Sequence, residues 1–216
     1  MECTVEESAI QFTKAQLKSL ENYFTASATN ASDAMSRWLS VNSLITIESF
    51  RQLPLEDAAG VMGDSEQPLC FCTMEIMGTL TGMIVLAFND EDGLSLSDQL
   101  LNRRVGTALE WSDIEQSAAL ESTNIICTAF LNTLSTQFPN QESITMIPSP
   151  PVFSRDFAES QLEALFLDQA IDANEIFLVQ TSFRLDNESL NWTLLFVPDM
   201  QSLAFLRDIL PESDES

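Results

Sequence analysis

The sequence predicts an α+β domain that is internally duplicated, with two long helices packed on one antiparallel sheet that both halves share. Three observations support this prediction. Helical periodicity occupies two long segments, residues 12–39 and 113–137. Each is followed by an extended run, a strand hairpin and a short helix, so the second half repeats the order of the first. Hairpins that alternate with helices in this way are typical of an antiparallel sheet with helices on its face.

The first half begins with apolar side chains at three- and four-residue spacing from Leu17 to Leu39, which indicates an amphipathic helix. Ser43 then precedes the alternating run 44–48, which is typical of a strand. The remaining elements are, in order, a polar loop, two strands joined as a hairpin near Gly78, a turn and a short helix. Their predicted ranges are 54–67, 69–77, 80–88, 89–93 and 94–101.

The second half shows the same succession of patterns after its long helix. An extended run, a rigid proline turn, a hairpin and a final helix have the predicted ranges 143–147, 148–151, 176–185 with 190–197, and 200–210. Asp199 and Pro211 predict the two ends of that final helix, because Asp caps helix N-termini and Pro cannot continue a helix.

The two hairpin-to-helix passages can be aligned with each other, with Asn89 opposite Pro198. A repeat of roughly 100 residues is too long for a solenoid unit. We therefore predict a single domain over residues 1–210, built from pseudo-repeat halves at about 12–104 and 113–210. Residues 211–216 are predicted to be an acidic, disordered tail.

Composition excludes several classes of function. The chain has 9 Lys and Arg against 33 Asp and Glu, a net charge of −24, and no histidine. Phosphate backbones and anionic bilayers repel such a chain, so we expect neither nucleic acid nor inserted membrane among its partners. Without histidine there is no Ser-His-Asp triad and no imidazole metal site.

The ends of the chain and its apolar runs predict a cytoplasmic protein. The N-terminal segment MECTVEESAIQF lacks the basic and apolar regions of a signal peptide. The most apolar stretch, residues 77–88, is shorter than the ~20 residues that a membrane helix needs. The four cysteines are too sparse for a disulfide framework, and we expect free, mostly buried thiols. An enzyme that uses Cys72 or Cys127 as a nucleophile is a weak alternative, because no basic group is evident beside either thiol.

The second long helix carries a narrow polar stripe. On a helical wheel its polar side chains fall within an arc of about 60°, and apolar side chains fill the rest. The residues of the stripe are Ser117, Glu121, Asn124, Thr128 and Ser135. A carboxylate and a carboxamide at i and i+3 can act on one bound group, since the carboxylate can pair with a cation and the amide can orient a water. The same spacing also occurs in solvated helix faces, so the stripe alone leaves both interpretations open.

The run Ser117-x3-Glu121-x2-Asn124 closely resembles the active-site helix of the CheC family of chemotaxis phosphatases, which includes CheC, CheX and FliY. That family's motif is Asp or Ser, three residues, Glu, two residues, Asn and a more distant Pro. Pro148 follows Asn124 with one more intervening residue than the family's pattern has, and Pro150 and Pro151 are close behind. The resemblance covers nearly the whole chain, including the hairpin-to-helix passages and the duplicated, CheC-like layout.

The resemblance implies a hydrolase that dephosphorylates the aspartyl-phosphate of a CheY-type response regulator. It implies that Asn124 holds the attacking water and that Glu121 pairs with the regulator's lysine, with Ser117 as an accessory residue. The required Mg²⁺ is expected in the partner regulator and not in this chain. A CheD-type deamidase is a further partner that the resemblance leaves open.

The family places an equivalent motif on the first long helix of many members, and there this sequence departs. Alignment on the Asn30-Ala31 segment puts Lys18, Asn22 and Thr25 opposite Ser117, Glu121 and Asn124, and none of the three matches. We therefore predict a degenerate, inactive first site at Asn22 and Thr25.

A non-catalytic module is the alternative function. The same fold serves in flagellar motor switch proteins, so the chain is alternatively a response-regulator-binding or switch-like adaptor. The intact pair of Glu121 and Asn124 favours the phosphatase. Glu110, Asp113 and Glu115 are expected to make the approach to the helix acidic, which suits a basic rim on a regulator.

Overall fold

The computed structural model describes residues 10–62, 67–138, 144–169, 175–185 and 188–212. Within these residues the chain forms six helices and seven strands. The helices are α1 Lys14–Leu39, α2 Leu55–Met62, α3 Asp90–Leu100, α4 Asp113–Leu134, α5 Ala158–Gln169 and α6 Met200–Ile209. The strands are β1 Ser43–Pro54, β2 Leu69–Gly78, β3 Gly82–Phe88, β4 Met146–Pro148, β5 Val152–Asp156, β6 Glu175–Leu185 and β7 Glu188–Pro198.

The described strands form one antiparallel sheet in which the last strand of each half lies at the centre. The order is β1-β6-β7-β3-β2-β4, and β5 pairs with β2 as well. Strands β3 and β7 meet in the middle, from Gly82 opposite Pro198 to Phe88 opposite Trp192. The hairpins β2–β3 and β6–β7 flank this junction, so each half contributes one hairpin. The predicted α+β class and the shared antiparallel sheet are confirmed.

Different helices cover the two faces of the sheet. On one face α1 and α4 lie side by side, and the ring of Phe24 packs edge-on against Phe130 at 5.1 Å and against Phe196 at 5.7 Å. On the other face the smaller helices α2 and α5 bury Ala58 and Leu162. The two long helices therefore pack on the sheet as predicted, and their outer faces remain available to solvent or to a partner.

Helices α1 and α4 pack in the same way. In the register that places Lys18 opposite Ser117, each of the eight buried residues of α1 falls on a buried residue of α4. Both helices begin at a hydroxyl N-cap, Thr13 and Ser112, whose partner three residues later is a buried polar side chain. The two helices are equivalent as packing elements. The duplication of the domain and the exact limits of its halves stay predictions.

Three segments differ from the sequence-based expectations. The predicted loop 54–67 contains α2, because apolar side chains such as Ala58 and Met62 recur at helical spacing and face the sheet. The predicted turn 89–93 is the start of α3, where the Asn89 side chain accepts the Asp92 N–H at 2.7 Å. Because Asn89 and Asp199 are the two N-caps, the sequence alignment of Asn89 with Pro198 was wrong by one residue.

The remaining differences concern the sheet and the ends of elements. Strand β1 continues beyond the predicted run to Pro54, and β5 and α5 occupy a region in which no element was predicted. Residue 143 of the predicted extended run and residues 213–216 of the predicted tail lie outside the described residues. In the part of the chain that the structure describes, no helix is long and apolar enough to cross a membrane.

Candidate functional site

The N-terminus of α4 is held by a buried carboxylate. The Ser112 hydroxyl accepts the Ile114 N–H and donates to Glu115, and Arg103 Nη1 donates to Glu115 Oε1 at 2.7 Å. The hydrogen bond from Ser112 and the neighbouring Arg103 lower the pKa of Glu115. Glu115 is buried, so the expectation that it contributes to an acidic approach was wrong. Its negative charge is used to fix the start of the helix.

The residues that the motif singled out share the outer face of α4. Ser117, Glu121 and Asn124 are exposed, and Thr128 is half-buried one turn further along. Within the described residues no hydrogen bond or ion pair engages the Glu121 carboxylate. The only described contact of the Asn124 side chain is a long one, from Thr128 Oγ1 to Asn124 Oδ1 at 3.5 Å. Both functional groups are therefore available to a bound partner.

A proline turn forms the opposite wall of the site. The face of α4 and the turn 148–151 enclose an open groove of about 700 Å³. Its lining residues are Ser117, Leu120, Glu121, Asn124, Thr128, Pro148, Ser149, Pro150 and Pro151. The turn is tied to β2, since Ser149 N donates to the Glu75 carbonyl at 2.8 Å and Glu75 N donates to Ser149 Oγ at 2.9 Å. Proline fixes φ, so this wall is stiff.

The equivalent face of α1 has different chemistry. Lys18, Asn22 and Thr25 are exposed, at the same positions of the helix as Ser117, Glu121 and Asn124. Lys18 Nζ pairs with Glu21 at 2.6 Å, and the Thr25 hydroxyl donates to the Glu21 carbonyl at 2.8 Å. A hydroxyl that bonds its own helix cannot replace a free carboxamide.

Among the described residues, the first half also has no proline turn opposite its long helix. In the register of the two helices, the turn 148–151 corresponds to residues 49–52, which lie inside β1. Strand β1 has a register shift between Ile47 and Ser49 but stays paired with β6 on both sides of it. The second half instead divides its outer strand into β4 and β5 around the prolines.

A polar cluster beside the groove was missed at the level of the sequence. Asp90 Oδ1 accepts the Trp111 indole N–H at 2.8 Å and Arg155 Nε at 2.9 Å, and Asp90 Oδ2 accepts Arg155 Nη2 at 2.6 Å. The Cys70 thiol donates to Asp90 Oδ1 at 3.3 Å. The bound Arg155 side chain lowers the pKa of Asp90 to about 2. Asp90 and Arg155 are 65 positions apart in the chain, so no local pattern signals this pairing.

The thiols are structural. Cys70, Cys72 and Cys127 are free and buried, which confirms the expectation for these three, and Cys3 lies outside the described residues. Burial raises the pKa of Cys72 to about 11 and raises that of Cys127 as well. Such thiols are poor nucleophiles, because the reactive thiolate is not populated near neutral pH. In the described ranges, no group of three or more Cys, Asp and Glu side chains is arranged to hold a metal ion.

Comparison with known proteins identifies the fold. No family model and no curated protein matches the sequence. FliY from Thermotoga maritima has a similar structure, with a TM-score of 0.73 at 14% sequence identity over 92% of this chain and 96% of that one. The FliM middle domain from H. pylori has a TM-score of 0.65 at 18% identity over 92% of this chain and 99% of that one. The chain therefore has the CheC-like fold that its resemblance to the CheC family predicts.

Proposed function

We propose that this protein is a phosphatase that hydrolyses the aspartyl-phosphate of a CheY-type response regulator in the cytoplasm. The observation that carries the proposal is the pair of exposed side chains, Glu121 and Asn124, which share one face of α4 opposite the proline turn. Neither is used to hold the fold. Their spacing matches the motif of the CheC family, and Pro148 lies one residue further from Asn124 than the motif has it.

An open site lined by a carboxylate, a carboxamide and hydroxyls suits a reaction whose substrate brings its own catalytic groups. In phosphoryl transfer the metal and the lysine of the regulator stabilise the charge on the transferred group. The phosphatase then needs to supply only a positioned water. The Asn124 amide has an acceptor that can hold a water proton and a donor that can reach a phosphoryl oxygen. The water attacks phosphorus in line, the aspartyl oxygen leaves, and inorganic phosphate is released.

Glu121 supplies orientation in this mechanism. It lies one turn before Asn124 on the same face, so its carboxylate can pair with a regulator lysine while the amide enters the regulator's site. Glu110 and Asp113 are also exposed near the start of α4 and favour a basic rim on the partner. Ser117 lines the same groove and is proposed as an accessory contact.

The docking surface includes apolar side chains. Ile114 is 47% exposed one turn before Ser117, and Leu109 in the preceding loop is 86% exposed. Exposed aliphatic side chains that border a polar site are a common feature of protein interfaces. We propose that they contact the regulator around its phosphorylation site.

The test is phosphate release from CheY-type regulators phosphorylated with acetyl phosphate, with wild type and the Asn124→Ala variant. Loss of a group that positions the water and contacts the phosphoryl oxygens is expected to lower the rate about 10²–10³-fold. Regulator binding is expected to persist, because Glu121 and the apolar rim are unchanged. Thr25→Ala, at the equivalent position of α1, is the matched control and is expected to be neutral. Equal rates for wild type and Asn124→Ala would refute the mechanism.

An adaptor is the second candidate function. The observation that favours it is that similar structures include FliM of H. pylori in complexes with FliG and with SpeE. In that case the same assay shows regulator binding without any acceleration of phosphate release. A CheD-type partner stays a prediction from the resemblance and is tested by the same binding measurement with a CheD protein.

A further inference from the structure

We propose that Asp90 is a positioning residue that sets the relation between α4 and the proline turn, and thereby the width of the groove. This inference rests on the proposed function for its kinetic consequence but not for its structural one. Asp90 lies at the first position of α3, outside the groove, and does not line it. Its effect is exerted through the two residues that it holds.

The carboxylate of Asp90 joins both walls of the groove. Trp111, which donates to Asp90, directly precedes Ser112, the N-cap of α4. Arg155, which donates two hydrogen bonds to Asp90, lies on β5, the strand that leaves the proline turn. A movement of α4 would therefore break the hydrogen bond from the Trp111 indole to Asp90. A movement of the turn would break the charge-assisted hydrogen bonds from Arg155 to Asp90.

Aromatic packing reinforces the same connection. The Trp111 ring lies 5.0 Å from Phe153 of β5 and 6.1 Å from Phe88, which ends β3. With the indole nitrogen held by Asp90 and the ring held by Phe153, the segment before α4 has little freedom relative to β5. The turn itself is anchored to β2, so the cluster connects this fixed wall to the segment that enters α4.

Exposure argues against a mainly stabilising role. The Asp90 and Arg155 side chains are 38% and 43% exposed, and ion pairs at such sites contribute little to global stability. The paired geometry is nevertheless well defined, with two separate nitrogens of Arg155 on the two oxygens of Asp90. Such an arrangement fixes orientation more than it adds stability.

The residues that Asp90 holds belong to β5 and to the segment before α4, the helix that carries the motif. The equivalent first position of α6 is Met200, which has no carboxylate. The segment before α1 is instead held directly by β1, since Gln52 Nε2 donates to the Ile10 carbonyl at 2.8 Å. Within the described residues, a carboxylate therefore joins the segment before α4 to β5, and the corresponding position of α6 has none.

The kinetic experiment compares Asp90→Ala and Arg155→Ala with Asp92→Asn in the full-length chain. Asp92 lies on the same turn of α3 but bonds Asn89 and the Asn191 N–H. A displacement of the catalytic amide is expected to lower kcat for phosphate release about tenfold in both alanine variants, with KM and Tm nearly unchanged. Asp92→Asn is expected to keep the wild-type kcat. If Asp90→Ala keeps the wild-type kcat, or if Asp92→Asn loses as much, the proposal is overturned.

A structural experiment needs no regulator. Nitroxide labels at Asn132→Cys on α4 and Pro150→Cys on the turn, in a chain with Cys3→Ser, report the distance between the two walls. We expect Asp90→Ala to broaden or shift the distance distribution, and Asp92→Asn to leave it unchanged. Identical distributions in all three chains would overturn the proposal. If the wild type releases no phosphate, the proposed function fails, and this measurement still decides whether Asp90 positions the groove.

Discussion

Helices α1 and α4 are equivalent in the positions that they bury and different in the side chains that they expose. Each of the eight buried residues of α1 falls on a buried residue of α4, and Phe24 of one packs against Phe130 of the other. Along the polar stripe the two helices share only the hydroxyl residues at its far end, Thr29 with Thr128 and Ser36 with Ser135. Where α4 has Glu121 and Asn124, α1 has Asn22 and Thr25.

The comparison shows that packing and chemistry are separate constraints on these helices. A core position tolerates few changes, because its neighbours fix volume and shape. An exposed position is free to change once its function is lost, since most surface substitutions have small effects on stability. The segments opposite the two helices also differ. The prolines interrupt the outer strand of the second half, whereas β1 of the first half continues through the equivalent positions.

The largest expected effect concerns the shared core. Phe24→Ala and Phe130→Ala each remove a fully packed ring from the contact between α1 and α4. Each is expected to lower the free energy of unfolding by about 3–5 kcal/mol, measured by urea denaturation. Thr25→Ala on the exposed face should change it by less than about 0.5 kcal/mol. A loss below about 1 kcal/mol for either ring would show that the contact between the two helices is not part of the packed core.

The next prediction compares the exposed face of α4 with that of α1. Glu121→Gln removes the charge proposed to pair with a regulator lysine, and should raise KM for the phosphorylated regulator about tenfold to a hundredfold. Asn22→Ala at the equivalent position of α1 should leave KM unchanged. An equal rise in both variants would indicate that both faces bind the regulator.

A gain-of-function experiment tests whether the side chains alone make the site. Asn22→Glu and Thr25→Asn install the motif on α1 in a chain that also carries Asn124→Ala. We expect no recovery of phosphate release, because β1 continues through the positions of the proline turn and offers no opposite wall. Recovery of phosphate release to more than about a tenth of the wild-type rate would show that the activity does not require α4 and its groove.

The smallest expected effect is a pH dependence. Arg155 lowers the pKa of Asp90 to about 2, below its usual value near 4. The stabilisation from the charged carboxylate is therefore complete above about pH 4 and is lost as the pH falls towards 2. Asp90→Asn should flatten the fall of Tm in this window and leave Tm near pH 7 almost unchanged, since the pair is partly exposed. An unaltered acid transition would contradict the lowered pKa.

The features that the sequence predicts correctly are those whose signal is local. The stripe of α4 follows from helical periodicity, and the exposed positions of Glu121 and Asn124 agree with it. The prediction of a loop was wrong for α2, because its acidic and glycine-containing sequence resembles that of a loop. The sequence could not predict the cluster around Asp90, because Trp111 and Arg155 reach that carboxylate only through the tertiary fold.

The role of the α4 face is decided by the rate of phosphate release from a phosphorylated CheY-type regulator, measured with a saturating excess of the wild-type chain, the Asn124→Ala variant or the Thr25→Ala variant. We expect wild type and Thr25→Ala to accelerate release equally, and Asn124→Ala to lose about 10²–10³-fold of the acceleration while still binding the regulator. Acceleration that survives Asn124→Ala, or that is lost in Thr25→Ala, would contradict the assignment of activity to the face of α4.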